Sequence, residues 1–166
     1  MDAEAIIEQF GLKPHPEGGF YSETYRCDET IPSHLLSRRY RGDRNLGSAI
    51  LYLLTTDTFS AMHRLITDEI FHFYYGDPVD ILVLFPEGNG ETVTLGTDLA
   101  GGHSPQVVVS GGCWQGLSLA SGGRFALMGT TMAPAFDFDD FELGDRYGLM
   151  REYPDFAPLI ERLTRA

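Results

Sequence analysis

The segment from His63 to Gly76 concentrates side chains that can do chemistry, with two imidazoles and two carboxylates within ten residues. These groups belong to His63, Asp68, Glu69 and His72, and the surrounding residues are typical of two β-strands joined by a short turn. A histidine and a glutamate that face each other across such a hairpin can bind a metal ion or work as a base and acid pair. The spacing therefore predicts a site of one of these kinds at His63 and Glu69.

Strand alternation predicts which side chains accompany His63. Side chains alternate between the two faces of a strand, so His63 and Leu65 share a face, and Glu69 at the start of the next strand can lie opposite His63. Gln115 can join them from a third predicted strand. His63, Glu69 and Gln115 offer one nitrogen, one carboxylate and one weak neutral oxygen, so a divalent metal should bind them weakly.

Without a metal, the same residues suit proton transfer on a small substrate. His63 would take a proton next to a carbonyl group, Glu69 would orient it or balance its charge, and a tyrosine would donate to the oxyanion, with Tyr21 and Tyr74 as candidates. The alternative is a hydrogen-bonded pair with only a structural role. Because a buried charged pair needs excellent geometry to break even, a site is the favoured interpretation.

A second group of candidate ligand-binding residues lies near the N-terminus. His15 stands between two prolines that restrict the backbone, so the turn could hold His15 or Glu17 over a site. A purely conformational turn is an equally good interpretation. Tyr21 and Glu23 share a strand face with Gly19, which has no side chain and so leaves room for a ligand beside them.

Three further candidate ligand contacts are His72, Tyr74 and Trp114. His72 lies three residues beyond Glu69, so alternation places it on the opposite face unless a bulge intervenes, and a packed surface histidine is an equally good interpretation. Trp114 is expected in the core or, as a site residue, in the pocket wall. Four arginines between residues 38 and 44 could contact an anionic substrate group, although solvated loop arginines are the simpler interpretation.

Short β-strands must position these residues. Turn residues at regular intervals separate apolar or alternating segments, which is typical of an antiparallel sandwich or barrel. The predicted strands are Phe20–Tyr25, Ser48–Thr55, Phe59–Leu65, Glu69–Tyr75, Val79–Phe85, Thr92–Leu95, Gln106–Val109, Gln115–Leu119 and Phe125–Met132. Asp2 is expected to cap a short helix that ends at Gly11. Residues 27–46 are expected to form a long loop and Phe156–Arg165 a terminal helix, all within one domain over residues 1–166.

The overall charge excludes two classes of partner. The chain of 166 residues carries 12 basic and 24 acidic residues, which gives a formal net charge of −12. Binding to nucleic acid or to anionic lipid needs clustered lysine and arginine, so neither nucleic acid nor a membrane is an expected partner. The acidic residues of the last third, from Asp137 to Glu161, are expected on a solvated face.

Cysteines and apolar runs indicate the compartment. Cys27 and Cys113 fit no zinc or redox motif, and thiols in a reducing compartment are the favoured interpretation, with a disulfide left open. The N-terminus lacks the pattern of a signal peptide, and no apolar run approaches the length of a membrane span. We therefore expect a cytoplasmic protein.

His63, Glu69 and Gly76, followed by a glycine-rich turn before Gln115, resemble the two signature motifs of the cupin superfamily. The second histidine of the first motif is replaced by Leu65, and the histidine of the second motif by Gln115. The resemblance is closer to the uncharacterised DUF985 (cupin 5) branch and spans about residues 10–145. It is carried by Pro14-His15-Pro16-Glu17-Gly18-Gly19, Asp68–Gly76, Leu95-Gly96, Trp114-Gln115 and Pro134–Glu142.

The resemblance implies a double-stranded β-helix, the RmlC-like cupin jelly-roll barrel, with a central pocket, and commonly a homodimer. With the predicted terminal helices, the expected fold is mainly β with short N- and C-terminal helices. The resemblance names no activity, so the function is predicted from the residues. We expect a small polar ligand, sugar-like or carboxylate-like, and a metal-independent epimerase or isomerase that requires no cofactor. Two alternatives stay open: a non-catalytic small-molecule binding protein, and an enzyme with a weakly bound divalent metal at His63, Glu69 and Gln115.

Overall fold

Antiparallel strands form most of the structure, a computed structural model that describes residues 1–165. The strands are β1 (Lys13–Pro14), β2 (Phe20–Arg26), β3 (Thr30–Ile31), β4 (Arg44–Asn45), β5 (Ser48–Thr55), β6 (Ser60–Leu65), β7 (Glu69–Gly76), β8 (Val79–Leu84), β9 (Gly90–Leu95), β10 (Gln106–Val109), β11 (Trp114–Leu119), β12 (Phe125–Met132) and β13 (Phe141–Leu143). The helices are α1 (Ala3–Phe10), α2 (Arg146–Glu152) and α3 (Ala157–Arg162). Every strand predicted from the sequence is present, with ends that agree within two residues.

Two sheets share one apolar core. The six-stranded sheet has the order β1-β2-β5-β12-β7-β10, and the five-stranded sheet has the order β13-β6-β11-β8-β9. Tyr52 and Phe71 of the first sheet pack with Ile81 and Leu117 of the second. Because each sheet buries one face against the other, the alternating apolar pattern of the strands is satisfied. The predicted mainly β jelly-roll fold with short terminal helices is confirmed.

The N-terminal helix begins and ends where the sequence predicts. The side chain of Asp2 accepts a hydrogen bond from the Ala5 backbone N–H at 3.0 Å, and Gly11 ends the helix with a φ of 60°. That left-handed conformation suits glycine because it has no Cβ. Ile6 of α1 is buried with Leu53 against the outer face of the six-stranded sheet.

Helices α2 and α3 cover the outer face of the five-stranded sheet. Leu149 and Ile160 pack there with Met62, Leu84 and Trp114. The predicted terminal helix is present in a shorter form, and α2 is an addition that the sequence pattern did not predict. No helix among residues 1–165 is long and apolar enough to cross a membrane.

The segment 27–46 is more ordered than the predicted loop. β3 and β4 pair within it, and Arg44 of β4 donates to both carboxylate oxygens of Asp140, at 2.8 and 2.6 Å. Both side chains are buried. The interpretation of solvated arginines is therefore wrong for Arg44, and the prediction of a solvated acidic face is wrong for Asp140, because each supplies the charge that the other needs.

Candidate active site

A cavity of about 400 Å³ lies between the two sheets, at the end where the N-terminal turn crosses β6. The turn contributes His15 and Glu17, and β2 contributes Tyr21 and Glu23. The other walls come from strands β5, β6, β7 and β12 and from the segment after β12. The strand residues among them include His63, Leu65, Glu69, Thr130 and Met132. The structure therefore brings together side chains that are more than 50 residues apart in the sequence.

The turn before β2 is held in place by its backbone. The Ala61 N–H donates to the Glu17 carbonyl oxygen at 2.9 Å, which joins the turn to β6. Gly18 has a φ of 122°, and a Cβ there would collide with the Phe59 carbonyl oxygen. Tyr52, fully buried, donates its hydroxyl hydrogen to the Gly18 carbonyl oxygen at 2.6 Å. Glycine is needed here because only glycine lets the turn approach β6 so closely.

His63 lies on the cavity floor between two carboxylates. Its side chain is 2% exposed, and its Nδ1–H donates to the Ala61 carbonyl oxygen at 2.8 Å. Nε2 therefore faces the cluster, at 3.4 Å from Glu17 Oε2 and 4.0 Å from Glu69 Oε2. The Phe141 ring stacks on the imidazole with ring centroids 5.5 Å apart.

The two carboxylate oxygens of Glu17 have different surroundings: Oε1 accepts a hydrogen bond, and Oε2 faces two imidazoles. Ser60, which is completely buried, donates its hydroxyl hydrogen to Glu17 Oε1 at 2.8 Å. Oε2 lies 3.4 Å from His63 Nε2 and 3.7 Å from His15 Nδ1. A carboxylate oxygen held among imidazoles in this way has the surroundings of a proton-transfer group.

Gln115 connects the other two members of the cluster. Its Nε2 donates to Glu69 Oε2 at 2.6 Å and lies 3.0 Å from His63 Nε2. Its Oε1 is buried and has no hydrogen-bond partner within residues 1–165. Such a buried, unpaired polar atom is uncommon in a purely structural network, whose members are satisfied.

The protonation of His63 is set by opposing effects. Burial disfavours the charged ring, but the carboxylates of Glu17 and Glu69 outweigh burial and raise the pKa of His63 to about 9. The charged form therefore predominates at neutral pH. The Gln115 amide nitrogen, 3.0 Å from Nε2, acts in the opposite direction because only the uncharged ring can accept its N–H, but the two carboxylates prevail. His63 is therefore a charged ring at neutral pH, which is the form that can donate a proton.

The exposed side of the cavity contains residues that the sequence pattern missed. Arg26 donates to Glu23 at 2.7 to 3.1 Å, to Asn45 Oδ1 at 3.2 Å and to the Phe136 carbonyl oxygen at 3.0 Å. Phe136 and Phe138 add aromatic walls, with their ring centroids 4.9 Å apart. The sequence signal in this segment is its alternation of aromatic and acidic residues, which marks the family resemblance and predicts a solvated face but does not by itself indicate a cavity wall.

Three residues proposed from the sequence as ligand contacts lie elsewhere. His72 is on the outer face of the six-stranded sheet, where its Nε2 lies 3.1 Å from Thr131 Oγ1 and its ring stacks on that of the exposed Tyr74. Trp114 packs under α2 and α3, and the Arg64 guanidinium lies 4.5 Å from its ring centroid. Alternation explains the positions of His72 and Trp114: Glu69 and Gln115 point inward, so His72 and Trp114, at odd separations from them, point outward. Tyr74 lies at the register shift of β7 and stacks on His72. The structure therefore places none of these three in the cavity, and it agrees with the alternatives that the sequence left open, a packed surface histidine at His72 and a core tryptophan at Trp114.

The donor atoms of the cluster do not fit a divalent metal. Within residues 1–165, no group of three or more histidine, cysteine, aspartate or glutamate side chains is arranged to hold one. The Gln115 amide turns its nitrogen, which is not a metal ligand, toward both His63 and Glu69. His15 Nδ1 already accepts the Glu17 backbone N–H at 3.3 Å. The geometry suits hydrogen bonding and proton exchange better than coordination.

The fold and the cavity define a class of protein: a double-stranded β-helix barrel that encloses a buried acid–base cluster. The chain belongs to the DUF985 family of the cupin superfamily, whose family model matches residues 4–144. The recognition made from the motifs around His63, Glu69 and the N-terminal turn is confirmed.

Several relatives share both sequence and fold with this chain. Protein SO0799 from Shewanella oneidensis is 36% identical, with a TM-score of 0.87 over 99% of this chain and 98% of that one. A hypothetical protein from Leishmania major is 29% identical, with a TM-score of 0.90 over all of both chains. The uncharacterized protein YML079W of Saccharomyces cerevisiae is 28% identical over an alignment of 146 residues that covers 82% of this chain and 72% of that one. None of these names states an activity.

A more distant likeness concerns the fold alone. Oxalate decarboxylase from Bacillus subtilis is 11% identical, with a TM-score of 0.52 over 90% of this chain and 36% of that one. The likeness supports the barrel architecture. Function must therefore be argued from the residues of the cavity.

Proposed function

We propose that this protein binds a small, uncharged, polyhydroxylated molecule of the sugar type in the barrel cavity and moves a proton on it without a metal. The observation that carries the proposal is the arrangement of Glu17 and His63. One Glu17 oxygen is held by Ser60, and the other faces His63 Nε2 at 3.4 Å inside a cavity large enough for a small ligand.

The charges of the cavity favour an uncharged ligand over a carboxylate-like one. Its lining includes four carboxylates, from Glu17, Glu23, Glu69 and Asp137. The opposing cations are His63 and Arg26, and the guanidinium donors of Arg26 are engaged by Glu23, Asn45 and a carbonyl oxygen. A ligand anion would meet net negative charge here, whereas hydroxyl groups can donate to carboxylate oxygens.

The proton state of His63 supports a division of roles that differs from the sequence expectation. The raised pKa of His63 leaves the ring charged at neutral pH, so it is better suited to donate a proton than to take one. Glu17 then serves as the base. Glu69 and Gln115 hold His63 in position, and Tyr21, whose ring lies 4.6 Å from that of His15, is a candidate contact for the ligand.

The proposal is tested by ligand-induced thermal stabilisation of the whole protein. The probes are unphosphorylated ketoses, aldoses and polyols, with gluconate and glucose 6-phosphate as anionic comparators. We expect a concentration-dependent rise in melting temperature with at least one uncharged probe, lost in Glu17→Gln and retained in Glu91→Gln, a variant of an exposed carboxylate on β9. Stabilisation by the anionic comparators alone would contradict the proposal.

Two further readouts separate the proposal from its alternatives. Elemental analysis of the gently purified protein is expected to find metal well below one ion per chain. Stoichiometric zinc, iron, nickel or manganese would favour a metal-dependent enzyme instead. Hydrogen exchange from the bound ligand into D₂O is expected with wild type and not with Glu17→Gln. Binding without any exchange would leave a non-catalytic binding protein.

A further inference from the structure

The His15 side chain is a second imidazole in the cavity lining, and its proton state differs from that of His63. Its Nδ1 accepts the backbone N–H of Glu17 at 3.3 Å, so that nitrogen carries a lone pair and the ring proton lies on Nε2. The ring packs edge-on against Tyr21 and Tyr52, with centroids 4.6 and 6.0 Å away. Within residues 1–165, Nε2 makes no hydrogen bond, and the residue lines the cavity.

The surroundings of His15 keep its ring uncharged. Burial lowers the pKa of His15, as does the neighbouring charge of His63, while Glu17 and Glu69 act in the opposite direction. An uncharged ring with its proton on Nε2 is a hydrogen-bond donor that does not give its proton away. Such a donor suits an oxygen on which negative charge develops during a reaction.

The reactive groups lie together at one side of the cavity. Glu17 Oε2 is 3.4 Å from His63 Nε2 and 3.7 Å from His15 Nδ1. Inversion of a carbon centre needs an acid and a base on opposite faces of a planar intermediate, each about 3 Å away, hence about 6 Å apart. Groups this close address one face of a ligand, which favours moving a proton between neighbouring atoms over inverting a centre.

We propose that the substrate is an open-chain hydroxycarbonyl compound, such as a ketose, whose carbonyl oxygen accepts a hydrogen bond from His15 Nε2, and that the reaction is an aldose–ketose type isomerisation on one face. This inference rests on the proposed function and goes beyond it by naming the substrate class, the reaction class and His15 as a catalytic residue.

The proton and electron balance of the reaction closes within these residues. Glu17 Oε2 takes a hydrogen from C1 as a proton, the C1–H electron pair forms the C1–C2 double bond, and the carbonyl oxygen at C2 takes a proton from His63. In the enediol, the C1 hydroxyl returns its proton to His63 as the C1 carbonyl forms. Glu17 then protonates C2. Glu17 and His63 end in their starting states, and no oxidant or cofactor is consumed.

The test uses a matched pair of variants at His15. His15→Asn keeps an acceptor for the Glu17 backbone N–H and removes the Nε2–H donor, whereas His15→Gln keeps an amide donor near the position of Nε2. The probes are dihydroxyacetone, D-erythrulose, D-xylulose and D-fructose in D₂O, with exchange of the C1 hydrogens followed by proton NMR. We expect His15→Asn to slow exchange about 100-fold with a KM within about threefold of wild type, and His15→Gln to recover at least a tenth of the wild-type rate.

Each outcome of this test is decisive. Exchange in His15→Asn at the wild-type rate would overturn the role of His15 and leave the Glu17–His63 pair in place. Formation of both C2-epimeric aldoses from one ketose would overturn the one-face reaction. Binding of the probes that depends on Glu17, without exchange, would overturn the hydroxycarbonyl assignment but not ligand binding. Absence of both binding and exchange would overturn the proposed function as well.

A readout that needs no substrate guards against misfolded variants. Nitrogen-15 NMR of the imidazole rings in the wild-type protein reports which nitrogen carries the proton. We expect His15 with its proton on Nε2 and a second, charged ring for His63 at neutral pH. A His15 ring with its proton on Nδ1 would overturn the inference without any variant.

Discussion

Two buried ionic clusters in this molecule show what separates a structural ion pair from a site. Arg44 and Asp140 form a buried two-fold contact at 2.6 and 2.8 Å, and a further donor of Arg44 is accepted by the Asp43 carbonyl oxygen. The half-exposed Asp137 lies 4.0 Å from the same guanidinium, on its solvent side. On the cavity floor, two carboxylates surround one imidazole at 3.4 and 4.0 Å. The first cluster is short and matched, and the second is loose and carries an excess of negative charge.

The difference shows where a ligand has something to gain. A matched pair gains nothing from a third molecule, because its donors and acceptors already have partners. The floor cluster keeps an unpaired amide oxygen on Gln115 inside its network, and Glu17 lines the cavity with its Oε2 3.4 Å from His63 Nε2. Burial alone therefore does not identify a functional cluster; the balance of charge and of hydrogen bonds does.

The largest expected effect is on the matched pair. Arg44→Met should lower the free energy of unfolding by about 3 to 5 kcal/mol, because Asp140 is left buried without its partner. Urea unfolding measures this, with Arg124→Met as the control, since Arg124 is 82% exposed and its change should cost less than about 1 kcal/mol. The double variant Arg44→Met, Asp140→Leu should recover much of the loss. Equal losses of stability in Arg44→Met and Arg124→Met would contradict a special contribution of the buried Arg44–Asp140 pair.

The second effect concerns pH and the loose cluster. The pKa of His63 is raised from its ordinary value of 6.5 to about 9, so its contribution to stability is complete below pH 6.5 and is lost as the pH rises through 9. The free energy of unfolding should therefore fall by up to about 3 kcal/mol between pH 6.5 and 9.5. Urea unfolding at several pH values checks this, and His63→Gln should lose the dependence. A wild-type curve that is flat over this range would contradict it.

The smallest effect concerns the residue that holds Glu17. Ser60→Ala should lower the free energy of unfolding by about 1 kcal/mol, because Glu17 Oε1 loses its only side-chain donor within the described residues. Ser118→Ala, a partly buried serine on β11, is the control and should change it by less than about 0.5 kcal/mol. Ser60→Ala, unlike the control, should also weaken the thermal stabilisation of the protein by uncharged sugars. A loss of stability without any effect on sugar binding would make Ser60 a structural residue only.

Part of the site was predictable from strand periodicity. The alternation of β6 and β7 placed His63 and Glu69 on inward faces, and Gln115 joined them because its strand pairs directly with β6 at His63. Turn residues set the strand ends, so the strands were located within two residues. The homodimer, the cytoplasmic location and the single-domain organisation stay predictions.

The rest depends on bulges, which alternation does not reveal. An extra residue in β6 opposite Gln115 and Leu117 returns Ser60 to the inward face, three residues from His63. A similar shift between Glu23 and Tyr25 in β2 brings Arg26 to the face of Glu23. In β7 the irregularity follows His72, too late to turn that side chain inward. Each bulge moves a residue by one position, and one position changes the face.

The sequence by itself determined the strands, the turns and the family, because these follow from local patterns of two to ten residues. It also determined that His63 and Glu69 would face a common interior. Only the tertiary structure decided that Glu17 faces His63 across 3.4 Å and that Gln115 offers its nitrogen rather than its oxygen. Those distances result from the approach of a glycine turn to a distant strand, and proton states depend on such distances because Coulomb interactions and burial act through space rather than along the chain.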